Sequence, residues 1–167
     1  QIDVMTAAFN IYAISFYLDA VTYPTNNPGF TMGYGSSAET AAKNALHQNT
    51  NSKLNMYTVK TTYLGWATFP WWLAGDPTQD GVVVDYRSLP GVSPVYSGFY
   101  DEGDTAVHEV GHWLGLYHTF QGGCGPNGDY VADTPAISNP HYDCEAQYQC
   151  AGAPPPMIEN FMDYTPD

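Results

Sequence analysis

The chain has 167 residues, enough for one domain with a buried core. Four Lys+Arg against 17 Asp+Glu give a net charge of −13. That balance argues against nucleic acid and anionic membranes as partners, since both demand basic counter-charge. The charged fraction is 13%, with 14 Tyr and 16 Gly, a polar but uncharged composition common outside cells. No apolar run is long enough to span a membrane.

The first 100 residues read as mixed α and β. Ile2 to Leu18 fits a helix or a pair of strands equally well, because its periodicity does not decide. Residues 36–50 predict a helix, with Ser36 or Ser37 at its N-cap and Ala-rich turns behind. Lys53 to Tyr63 alternates apolar and polar residues and predicts a strand. Leu64 to Trp72 predicts a short strand ended by Pro70, which a sheet edge tolerates and its centre does not. Asp80 to Leu89 predicts a continuous apolar strand led by a turn. Residues 101–120 carry a second helix. Asp104 is its predicted N-cap, and Val107, Val110, Gly111 and Leu114 form one apolar stripe. Past Gly122 the chain is mostly loop as far as Ile158.

The chemistry lies between His108 and His118, which read HEVGHWLGLYH. His108 and His112 are one helical turn apart and project together, so both imidazoles can meet one metal ion. Glu109 lies beside that pair and can reach a water next to the metal without being a ligand, as a general base does. Gly115 follows where the helix should end and permits a sharp left-handed turn. That turn brings His118 back as a third ligand. Three neutral imidazoles leave one metal position open. A single His on a helix is more often structural, but here the helix, stripe and terminator all fit around the pattern. The longer string, followed by a Met-turn, is a protease signature. Met162 is the Met-turn residue, an apolar floor beneath the imidazoles, and Tyr164 can donate to the oxyanion of a tetrahedral intermediate. Three cysteines, Cys124, Cys144 and Cys150, lie in the loop-rich final third. The odd count leaves one thiol free or its partner outside the chain.

These residues resemble the pappalysin-type zinc metalloproteases of the metzincin clan, in their secreted fungal and bacterial members. The resemblance is carried by HEVGHWLGLYHTF, by GDYVADTP from Gly128 to Pro135, by NFMDY and by LGWATFP. It implies an α+β metzincin-like zincin catalytic domain, with a mixed twisted sheet, an active-site helix and a loop-rich C-terminal subdomain. One domain is expected, divided into residues 1–115 and 116–167 and truncated at its C-terminus. His108, His112 and His118 would bind Zn2+, with Glu109 as base and Met162 and Tyr164 in their Met-turn roles. LGWATFP would be the edge strand that pairs with extended protein or peptide substrates. Cys124 would pair with Cys150, and Cys144 with a fourth cysteine beyond the Met-turn. Asp129, Asp133 and Thr134 offer oxygen ligands suited to Ca2+; an Asx turn with solvated carboxylates is the equal alternative.

The expected function is that of a secreted, extracellular, monomeric zinc endopeptidase. A deacylase with an acidic third ligand is disfavoured by His118. A zinc-stabilised binding module is disfavoured by Glu109 and Tyr164, which metal binding alone does not need. An inactive fragment of a protease is a further alternative. No N-x-Ser/Thr glycosylation site supports secretion independently.

Overall fold

The computed structural model describes residues 1–25, 28–49 and 52–167. Its centre is a three-stranded mixed sheet of β1 (Met56–Val59), β2 (Gly65–Ala67) and β3 (Val82–Asp85), in the order β1-β3-β2. β3 is parallel to β1, with Met56 opposite Val82, and antiparallel to β2, with Ala67 opposite Val82. Three helices accompany the sheet: α1 (Ile2–Phe9), α2 (Ser37–Leu46) and α3 (Asp104–Trp113).

The pleat explains the layering. Val82 and Val84 point to one face, where they join Met5 and Phe9 of α1 and Ala106, Val107 and Val110 of α3. Val83 points the other way, into a second core with Tyr57, Val59, Trp66 and Ala42 of α2. Covered on both faces, β3 reads as an uninterrupted apolar run rather than an alternating one.

The predicted strands exist but are shorter than their patterns. β2 ends before Pro70, which opens a 3-10 turn over Pro70–Trp72. β3 ends at Asp85, whose Oδ1 accepts from the Arg87 amide at 2.9 Å and folds the chain into a turn. The undecided N-terminal stretch is helical over Ile2–Phe9, continues as a 3-10 turn to Tyr12, and has no strand. Ser36 is the N-cap of α2, accepting from the Glu39 amide at 3.1 Å. That helix stops at Leu46; Thr50, to which the prediction extended, lies outside the described residues. Glu39 Oε1 in turn accepts from Trp66 Nε1 at 2.6 Å and pairs with the buried Lys43 at 2.8 Å, tying α2 to β2.

Two features of α3 correct the sequence reading. Its N-cap is Gly103, with φ +102, and Asp104 is the first helical residue. The carboxylate at this helix start belongs to Asp167: its Oδ2 accepts from Glu102 N at 2.6 Å, and the amides of Gly103 and Asp104 also bond to it. An acid there complements the helix dipole. The apolar stripe also stops one turn early, because α3 ends at Trp113 and Leu114 is 40% exposed.

Displacing Asp104 from the cap has a consequence. Burial, then the charges of Asp167 and Glu102, push its carboxyl up to about 6. The folded state therefore holds this proton more tightly than the unfolded chain does. Its stabilising contribution is complete below the ordinary carboxylate value and is lost as pH rises through about 6. Asp104→Asn should raise stability at pH 7 by on the order of 1 kcal/mol, discounted for partial exposure, and by less at pH 4. Thermal melts at the two pH values check this; an equal shift at both contradicts it.

Candidate metal centre

The pattern around α3 closes as its spacing requires. Gly115 takes φ +104, and the chain folds back so that Leu116 N bonds Gly111 O at 2.9 Å. His118 then meets the two helical histidines. Its Nε2 lies 3.0 Å from His112 Nε2 and 3.1 Å from His108 Nε2. This is the group of three metal-suited side chains found among the described residues.

The ring nitrogens on the far side decide what these near contacts mean. His108 Nδ1 donates to Phe161 O at 2.6 Å, and His112 Nδ1 donates to Leu116 O at 2.7 Å. Those hydrogen bonds place the protons on Nδ1 and leave both Nε2 atoms as bare lone pairs. Burial and mutual proximity keep the rings neutral. The His108 ring is pushed down to about 4 by burial and then by His112. The His118 ring is pushed down to about 3 by burial and then by its two neighbours. The His112 ring is also lowered, chiefly by burial. Lone pairs of neutral imidazoles facing one another repel unless a cation lies between them. Zinc–nitrogen bonds of about 2.0–2.1 Å set tetrahedral ligands roughly 3.3 Å apart, close to the separations here. The donor set fits a zinc ion.

Glu109 is 5% exposed, and its Oε2 has no partner among the described residues. Burial pushes its carboxyl up to about 8. Its place depends on a residue the sequence reading passed over. A Cβ on Gly65 of β2 would stand 2.8 Å from both Cγ and Oε1 of Glu109. The missing side chain in the edge strand is the space that Glu109 occupies.

Met162 lies against α3, in a spot that only glycine leaves open. A Cβ on Gly111 would come within 2.3 Å of Met162 Sδ. Met162 is buried, and its carbonyl accepts from Thr119 N at 3.1 Å, one residue past His118. Gly111→Ala should therefore force Met162 aside. Overpacking costs about 1–3 kcal/mol, which outweighs the gain of up to about 1 kcal/mol from helix propensity. A lower melting temperature in the metal-free protein checks the sign; a rise contradicts it.

The Tyr164 ring packs against the site, with its centroid 4.9 Å from that of His118 and 5.7 Å from that of His108. Burial, then the charge of Glu109, raises its hydroxyl above the ordinary phenol value. Asp163, between Met162 and Tyr164, was also missed in the sequence. Its Oδ2 accepts from His141 Nδ1 at 2.8 Å, and its Oδ1 accepts from the amides of His141 at 3.0 Å and Tyr164 at 2.8 Å. Both side chains are buried. Gln149 continues the chain, with its Nε2 3.2 Å from His141 Nε2. The Asp163–His141 pair thus anchors the turn that carries Met162 to the loop region.

Cys124 and Cys150 form the expected disulfide, with Cα atoms 5.4 Å apart, and Cys144 is free and exposed. Asp129 Oδ1 accepts from Val131 N at 3.0 Å, an Asx turn. This is the hydrogen bond that the turn alternative expects of Asp129.

Comparison with known proteins agrees with this geometry. Residues 91–167 match the Peptidase_M43 family model, described as pregnancy-associated plasma protein-A. An extracellular metalloprotease of Colletotrichum graminicola is 42% identical across the whole chain, which covers 60% of that protein. Extracellular metalloprotease 1 of Coccidioides posadasii is 39% identical, again over the whole chain and 60% of the relative. The chain thus spans about three fifths of the curated relatives it matches. Among solved structures, mirolysin in complex with compound 9 superposes with a TM-score of 0.68 at 31% identity, over 83% of this chain and 54% of that one. Mature mirolysin of Tannerella forsythia, in complex with a cleaved peptide, gives 0.60 at 36% identity, over 71% and 47%.

Proposed function

We propose that the chain, whose residues 91–167 match the Peptidase_M43 family model, belongs to that family and is the catalytic domain of a secreted zinc-dependent endopeptidase. The observation that carries this reading is the convergence of three neutral imidazoles beside one buried carboxyl. The extracellular location in the names of its relatives belongs to the same proposal.

His108, His112 and His118 would hold zinc through Nε2. When bound there, zinc supplies Lewis-acid polarisation of a carbonyl and a lowered pKa for water. Every other role falls to the chain itself. Glu109 takes a proton from the attacking water at a carboxylate oxygen and returns it to the leaving amine. Its unpartnered Oε2 supports that role, since a structural carboxyl would be hydrogen-bonded. The Tyr164 hydroxyl, on a ring packed against His108 and His118, donates to the developing oxyanion. Among the described residues β2 bonds to β3 on one side only, and its other edge would take an extended peptide as an added strand. Residues 1–115 and 116–167 would be the two parts of one catalytic domain.

A binding module that uses zinc only for stability needs neither a buried carboxyl nor a tyrosine at the site. A long peptide blocked at both ends separates the readings. Mass spectrometry should find internal fragments, which only an endopeptidase produces; an intact blocked peptide contradicts the proposal.

A further inference from the structure

Beside His112 runs a row of aromatic rings. Phe69, two residues past the end of β2, is its hub. The Phe69 centroid lies 5.3 Å from the His112 ring and 5.3 Å from Tyr117. Trp71 stacks on Phe69 at 4.5 Å with 17° between planes, and lies 5.5 Å from Tyr117. Tyr117 continues the row to Tyr130 at 5.7 Å. None of these four rings belongs to either apolar core.

Exposure and strain say which way the row serves. Trp71 is 52% exposed and Tyr130 is 70% exposed, a large apolar area to leave in water. Tyr130 also has φ +68, a left-handed backbone that bulky residues rarely adopt. Its N–H to Asn127 O at 2.8 Å and the Asp129 Asx turn at 3.0 Å hold it there. A strained residue presenting an exposed ring at the end of a row that reaches the His112 ring is a sign of ligand contact rather than of packing. Trp71 is anchored at the bend of the site: a Cβ on Gly115 would stand 3.8 Å from Trp71 Cζ3. The row thus runs from Trp71 and Phe69, just past β2, through Tyr117 in the turn before His118, to Tyr130.

We propose that Trp71, Tyr117 and Tyr130 form a platform that selects substrates with an aromatic side chain at one fixed position on the His112 side of the cleavage point. This rests on the endopeptidase reading given above and names its substrate class. A peptide added along β2 would carry its side chains onward past Phe69, where the exposed indole offers a flat partner. Ring stacking favours a planar apolar side chain over a small or charged one.

The test is a set of blocked peptides of one sequence, with Phe, Ala, Glu or Arg at each of the four positions before and after the cut. Wild type should prefer Phe to Ala about fivefold to tenfold in kcat/KM at one position, the ratio a single aromatic pair supplies. Trp71→Ala should bring that ratio to about one, and Trp71→Phe should retain it. Two results overturn the platform and leave the protease reading standing: cleavage with no aromatic preference at any position or with Arg preferred to Phe, and a preference unchanged in Trp71→Ala. If wild type cuts none of the peptides, both proposals fall.

Discussion

Glu109→Gln is expected to lower kcat by between about a hundredfold and ten-thousandfold, the range that general acid–base groups contribute. Glutamine has the same shape and fits the space that Gly65 leaves against β2. It removes only the capacity to take a proton. Metal content, measured on the same preparation, should therefore be unchanged, because the three imidazoles keep their partners at Phe161 and Leu116. A variant that retains its metal and works within tenfold of wild type would show that another group carries the proton. A variant that loses both metal and activity would assign Glu109 to the framework of the site.

His141→Ala is expected to destabilise the fold strongly. It leaves the buried Asp163 carboxylate without its 2.8 Å partner, while the Tyr164 amide still depends on that carboxylate. Leaving a buried acceptor short of a hydrogen bond costs about 1–3 kcal/mol. For a chain of this size the upper figure is a fall in melting temperature of roughly 6–12 °C. Activity should fall further than the fraction unfolded accounts for, because Phe161, Met162 and Tyr164 share this turn. A shift under about 2 °C would mean that Asp163 finds another partner.

The helix and the glycine turn that ends it were legible in the sequence because their physics is local. Four residues make one turn, so His108 and His112 had to share a face, and Gly115 could end the helix only in a left-handed turn. The valines of β3 likewise announced a continuous apolar strand. The Asp104 cap failed because Asp167, 63 residues further on, supplies the carboxylate. Nothing in a local window points to such a partner. The Asp163–His141 pair and the space at Gly65 were missed for the same reason: each joins segments distant in the chain. The strands came out short because a side-chain turn at Asp85 and the ring of Pro70 ended the ladder before the apolar pattern ended. Leu114 fell outside the stripe because the periodicity continued one position past the last helical residue.

Hydrolysis of casein by the purified chain, measured alongside its metal content, tests the central claim most directly. About one zinc per chain is expected, with cleavage that stops when a chelator removes it and recovers when zinc is returned. Cleavage that continues in protein stripped of metal, or a chain that takes up no zinc with all three histidines in place, would contradict it.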